Sequence, residues 1–133
     1  METIFATGAD IHMLRDPTRG GVTSALNEIA EQAGAGIRLE EAAIPISEDV
    51  KAACEILGLD PLYVANEGKV IAFVPSDEAD RVLHVMKSHP LGRDSAIIGE
   101  VIDEHHGFVT MKTRVGGTRV VDMLSGEQLP RIC

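Results

Sequence analysis

Tryptophan is absent from this 133-residue chain, and only one tyrosine and three phenylalanines occur. A core of ordinary size therefore has to be assembled from Val, Ile, Leu, Ala and Met. Cysteine is scarce as well. Cys54 and Cys133 are too few for the disulfide framework of a small secreted domain and lack the spacing of a zinc site, so no metal centre is expected. No apolar run approaches the length of a membrane span, and the opening METIFATGADIHML has neither the basic flank nor the cleavage site of a signal peptide. The expected setting is the cytoplasm, with no membrane partner. Positive charge is also in deficit: 12 Lys and Arg against 21 Asp and Glu leave a formal charge of -9, which repels a nucleic-acid backbone.

What is present is a globular composition without repeats or low-complexity linkers, read as a single unit. In DPTRGGVTSALNEIAEQAG, residues Val22, Ala25, Leu26, Ile29, Ala30 and Ala33 recur at helical spacing, with Asp16 and Pro17 as start signals and Gly34 as a stop. A short strand at IRLE follows. Ser47 is placed to cap a second helix whose Val50, Ala53, Cys54 and Leu57 share a face ending at Gly58, which makes Cys54 a core residue. The uninterrupted apolar run KVIAFV, bounded by Gly68 and Pro75, predicts a strand buried on both faces in mid-sheet. Ser76 is positioned to cap a third helix with Ala79, Val82, Leu83 and Met86 on one stripe. AIIGEVID, FVTMKTRV and TRVVDML read as three strands, the last two joined by a two-residue Gly116-Gly117 hairpin turn. The order αβαβαβββ predicts an α+β fold, with helices on one face of a mixed, mostly antiparallel sheet and an extended carboxy-terminal tail.

Three stretches stand apart from this scaffold. In LRDPTRGG, two glycines occupy the opening turn of an otherwise good helix, flanked by Arg15 and Arg19. Glycine there costs about 1 kcal/mol per residue relative to alanine, so bare backbone is needed at that point. One reading is an anion site, in which helix N–H groups and guanidinium groups hold a phosphate; the other is close packing of the helix against the sheet. In ANEGK, the turn formers Asn66 and Gly68 present Glu67 on a loop beside the apolar strand, where a carboxylate can serve as a general base or simply be solvated. The five histidines form no recognisable ligand set, and His105-His106 falls in a solvated turn. Finally, Gly126 and Pro130 oppose regular structure in residues 125–133, and nine extended residues reach roughly 30 Å. Cys133 ends that tail, and the sequence is not a prenylation box.

Taken together, LRDPTRGG opening a helix, NEGK leading into the apolar strand and a terminal PRIC resemble the carboxy-terminal domain of the HypE family of hydrogenase maturation factors. That family lies within the ATP-binding superfamily of aminoimidazole ribonucleotide synthetase, selenophosphate synthetase and thiamine-monophosphate kinase. DPTRGG indicates the wider superfamily; PRIC discriminates within it. The resemblance spans nearly the whole chain, with residues 1–124 as the synthetase-related domain and 125–133 as the tail that carries the cysteine.

The resemblance implies a specific chemistry. The carbamoyltransferase HypF loads a carbamoyl group onto Cys133, ATP drives its dehydration to a thiocyanate, and the cyano group passes through a HypC-HypD complex to the iron of a nickel–iron hydrogenase. A thiolate accepts the acyl carbon, and an exposed, mobile cysteine suits transfer between proteins. By the same analogy Glu67 is the base for the amide proton, Arg19, Gly20 and Gly21 help hold nucleotide phosphate, and Arg131 guides the tail. Members of the family are longer, with an amino-terminal domain that supplies a homodimer interface and most of the ATP and magnesium site, so this chain alone is expected to be inactive and to hold neither. Two alternatives remain open: another ATP-dependent enzyme of the superfamily, and a non-enzymatic module that docks through its terminal carboxylate.

Overall fold

A computed structural model describes residues 2–123 of the chain. A single turn, α1 (Glu2–Phe5), precedes strand β1 (Met13–Arg15) and the longest helix, α2 (Gly21–Ala33). Strand β2 (Gly36–Glu40), helix α3 (Glu48–Leu57), strand β3 (Ile71–Phe73) and helix α4 (Ala79–Ser88) follow. The described part closes with β4 (Gly99–Ile102), β5 (Val109–Lys112) and β6 (Thr118–Val120).

The main sheet has the order β4-β2-β5-β6, with β2 and β5 parallel and the other two pairings antiparallel. Ile37 lies beside both Val101 and Val109, and Leu39 beside Gly99 and Met111, so one face of the central strands is aliphatic. Leu26, Ile29 and Ala30 of α2 cover that face, and Ile44, Leu62 and Val121 complete the core. The opposite face carries the ion pairs Arg38–Glu100 and Lys112–Glu40. This is the expected α+β architecture, built from aliphatic side chains.

Local signals hold at several ends. Gly34 and Gly58 close α2 and α3 in the left-handed conformation, and the Ser47 hydroxyl accepts a hydrogen bond from the Val50 amide at 3.4 Å. Cys54 is buried. The rest of its predicted stripe is not: Val50, Ala53 and Leu57 are exposed, so α3 inserts little more than one side chain.

Four expectations are corrected. The KVIAFV run does not sit in mid-sheet: β3 is three residues long, is only partly buried, and pairs among the described residues with β1 alone, in a separate two-stranded antiparallel sheet. Its apolar side chains Ile71 and Phe73 rest against the margin of the core instead. Helix α2 starts at Gly21 and not at Asp16-Pro17, which belong to the connection from β1. Helix α4 starts after Glu78, because Pro75–Glu78 forms a turn in which the Glu78 amide donates to the Pro75 carbonyl at 3.0 Å. The β5–β6 hairpin has a five-residue loop, Thr113–Gly117, closed by the Thr113 amide on the Gly117 carbonyl at 2.7 Å.

Candidate functional site

The site is built where the start of α2 meets the chain that leads into β3. Asp60 caps a 3-10 turn, Pro61–Tyr63, by accepting from the Leu62 amide at 2.9 Å, and buried Leu62 anchors the turn in the core. The α2 start lies directly against it. At Gly21, where φ is +68°, an added Cβ would lie 2.7 Å from the Val64 carbonyl oxygen and 2.9 Å from the Tyr63 carbonyl carbon. Glycine is therefore needed here for both its left-handed backbone and its missing side chain. The close packing anticipated for these glycines is real at Gly21, but its partner is the 62–64 backbone and not the sheet, while Gly20 faces Ser24 of its own helix.

A second link joins the same two stretches. The Asn66 amide donates to the Pro17 carbonyl at 3.0 Å, and Lys69 Nζ donates to Asn66 Oδ1 at 2.8 Å. Thr23 Oγ1 faces both the Gly20 carbonyl, at 3.2 Å, and the Leu62 carbonyl, at 3.3 Å. Glu67, next to the stitched Asn66, and Arg19, two residues beyond Pro17, are thus brought to adjoining loops, and both are exposed. Arg15 is engaged elsewhere, pairing with Glu28 at 2.5 Å.

The helix start itself is suited to an anion. Its N-cap residue, Gly20, is left-handed and offers no side-chain cap, which leaves the first N–H groups of α2 without the hydroxyl or carboxylate that would normally accept from them. Neither glycine has room for a side chain: a Cβ on Gly20 would lie 2.7 Å from Ser24 Cβ. These features fit a phosphate group. Among the described residues, no three or more His, Cys, Asp and Glu side chains group as metal ligands.

Two residues with no distinguishing mark in the sequence hold the chain where it leaves β6. Asn27, buried on α2, donates through Nδ2 to the Val121 carbonyl and to the Thr23 carbonyl, each at 2.9 Å. The Tyr63 hydroxyl donates to the Asp122 carbonyl at 2.9 Å. Burial pushes the Tyr63 pKa up, the Asp60 charge adds to this, and Arg119 opposes it, so the hydroxyl keeps its donor proton. Residues 121 and 122 lie just past β6 and lead toward Cys133. Arg131 and Cys133 themselves lie outside the described residues.

Cys54 lines a cavity of about 380 Å³ beneath α3 with Lys51, Met111 and Arg114 and with Asp60 and Leu62 of the 3-10 turn.

Residues 2–112 match the family model described as AIR synthase related protein, C-terminal domain. The chain is 59% identical over 130 residues to the carbamoyl dehydratase HypE of Azotobacter vinelandii, covering 98% of this chain and 38% of that protein. It superposes with a TM-score of 0.87 on the crystal structure of a HypE–HypF complex, at 47% identity, covering 92% of this chain and 40% of that one. It gives the same TM-score with HypE in complex with ATP, at 48% identity, covering 93% of this chain and 38% of that one. The chain thus spans about two fifths of the length of the relatives it matches.

Proposed function

The chain belongs to the family of AIR synthase related C-terminal domains, and on that premise we propose that it is the carboxy-terminal part of a HypE-type carbamoyl dehydratase. In this reading Cys133 Sγ carries a carbamoyl group as a thiocarbamate, S–C(=O)–NH2, which loses one water to become a thiocyanate, S–C≡N. ATP supplies the phosphoryl group that makes the amide oxygen a leaving group. Arg19 and the α2 start at Gly20-Gly21 help hold phosphate, with the helix dipole and the guanidinium favouring negative charge there. Transfer of the phosphoryl group to the amide oxygen, with one N–H proton passing to solvent, gives the imidate S–C(OPO3)=NH and ADP; Glu67 then accepts the remaining proton from the nitrogen, and phosphate leaves as the carbon–nitrogen triple bond forms. Arg131 steers the terminal segment, its charge offsetting the adjacent carboxylate. Magnesium and the remaining nucleotide contacts are assigned to the part of the parent protein beyond this chain, which alone is then inactive.

The observation that supports this reading is the Asn66–Pro17 hydrogen bond, which ties the loop that carries Glu67 to the segment leading into the α2 start. The 59% identity to a carbamoyl dehydratase HypE supports the reaction class, and the likeness to HypE in a HypE–HypF complex supports HypF as the carbamoyl donor. A HypC-HypD complex as acceptor, a homodimeric parent and a cytoplasmic setting complete the proposal.

The test uses the intact parent protein. Glu67→Gln keeps size and hydrogen bonding but removes the basic carboxylate, so carbamoylation of Cys133 should persist while dehydration slows by about 10²-fold or more. Mass spectrometry separates the two states of Cys133 by one water. Thiocyanate formed at the normal rate would remove Glu67 from the chemistry.

A further inference from the structure

The chain leaves β6 at Val120, the end of an edge strand, yet the next two residues are still held. Val121 is fully buried, its amide donates to the Val109 carbonyl at 2.8 Å, and its carbonyl accepts from Asn27. Satisfying that carbonyl is a requirement of burial. Asp122 is different. It is exposed, so water could satisfy its carbonyl, yet the Tyr63 hydroxyl does so at 2.9 Å. A bond that the fold does not need for satisfaction contributes direction instead.

The two donors come from the elements that form the site. Asn27 sits on α2, which Gly20 and Gly21 open, and Tyr63 ends the 3-10 turn four residues before Glu67. That turn is locked in turn by Leu62 in the core, by the close approach of Gly21, and by Asp60, which pairs with Arg119 at 3.2 Å. Both donors of the clamp therefore sit on anchored elements, and Tyr63 is joined to the Glu67 loop by three residues of chain.

We infer that Tyr63, supported by Asn27, is a positioning residue that seats the root of the carboxy-terminal segment beside the Glu67 loop and so sets where Cys133 is delivered. The inference rests on the carrier role given to Cys133 above. Eleven residues separate Asp122 from Cys133, a contour of about 36–40 Å when extended. Fixing the point and direction from which a chain departs raises the effective concentration of its end at one place. The Tyr63 bond links the root to the loop whose carboxylate is to act on the cargo.

The experiment compares delivery in cis and in trans in the intact parent protein. In cis, the single-turnover dehydration of the carbamoyl group on Cys133 is followed in Tyr63→Phe and in the unaltered protein. In trans, a carbamoylated synthetic peptide of residues 124–133 is supplied to Cys133→Ala protein with and without Tyr63→Phe. Loss of one net hydrogen bond should slow the cis reaction about three- to ten-fold, while the trans reaction keeps its rate because the peptide has no root to seat. An unchanged cis rate, or an equal fall in both, overturns the inference. If the unaltered protein dehydrates neither substrate, the reading of the site fails first, and the clamp is then judged by amide hydrogen exchange at Asp122 and Met123. Exchange should accelerate in Tyr63→Phe; equal exchange overturns the clamp as well.

Discussion

Gly21 carries a constraint that Gly34, at the other end of α2, does not. Both have positive φ, but an added methyl group at Gly34 meets nothing within 4 Å, whereas at Gly21 it would overlap the carbonyl groups of residues 62–64. Gly34→Ala should therefore cost only the left-handed strain of about 1 kcal/mol. Gly21→Ala adds a forced separation of α2 from the Pro61–Tyr63 turn and should cost about 3 kcal/mol. Urea unfolding of the two variants measures the difference, and equal losses would mean that the turn yields freely. The same contact explains why two glycines open an otherwise ordinary amphipathic helix. The sequence shows that bare backbone is wanted there; it does not show which backbone approaches.

Helix α3 depends on its ends more than on its packing. Only Cys54 of its ten residues is buried, so its interior contributes little to the core. Its start is held by Ser47 and favoured by Glu48 and Asp49 in the first turn, next to the positive end of the helix dipole. Ser47→Ala should lower stability by about 0.5–1 kcal/mol, and hydrogen exchange should accelerate across 48–57 while α2 stays protected. Acceleration of α2 by the same factor would show that the helices open together. Strand β3 illustrates the converse. Its apolar run has the composition of a buried central strand, but β1 is its partner and the main sheet is already closed around β2 and β5. Composition reports that Ile71 and Phe73 avoid water, which they partly do against the core margin, and is silent on which sheet they join.

Across the whole molecule, the two thiols are assigned to opposite fates. Cys54 is only 7% exposed and is reached only by way of the cavity beneath α3. Brief alkylation of the native chain with a bulky reagent should therefore modify Cys133 first and Cys54 more slowly, with peptide mass mapping as the readout. Equal labelling rates would contradict the burial of Cys54 and weaken the carrier role of Cys133. The segment before α2 and the one before β3 meet through the Asn66–Pro17 hydrogen bond, and Tyr63 links the latter to the Asp122 carbonyl. Gly20-Gly21 stands out in the sequence because glycine is costly in the opening turn of a helix, Arg19 because it flanks that pair, and Glu67 only through the family resemblance. Thr23, Asn27 and Tyr63 could not, since each looks like an ordinary residue of a helix or a turn.

The sequence by itself determined the aliphatic core, the amphipathic stripe of α2, the caps at Gly34, Ser47 and Gly58, and the inward position of Cys54, because each of these follows from spacing within a few turns of chain. Only the tertiary structure decided that Pro17 meets Asn66, that β3 pairs with β1, and that Asn27 and Tyr63 hold the carbonyls of Val121 and Asp122 across 94 and 59 residues of sequence. The reason is physical. Periodicity records which side of an element shuns water and leaves open which other element will cover it. A backbone carbonyl is the same group in every residue, so a hydrogen bond to one leaves no trace in the sequence at its accepting end.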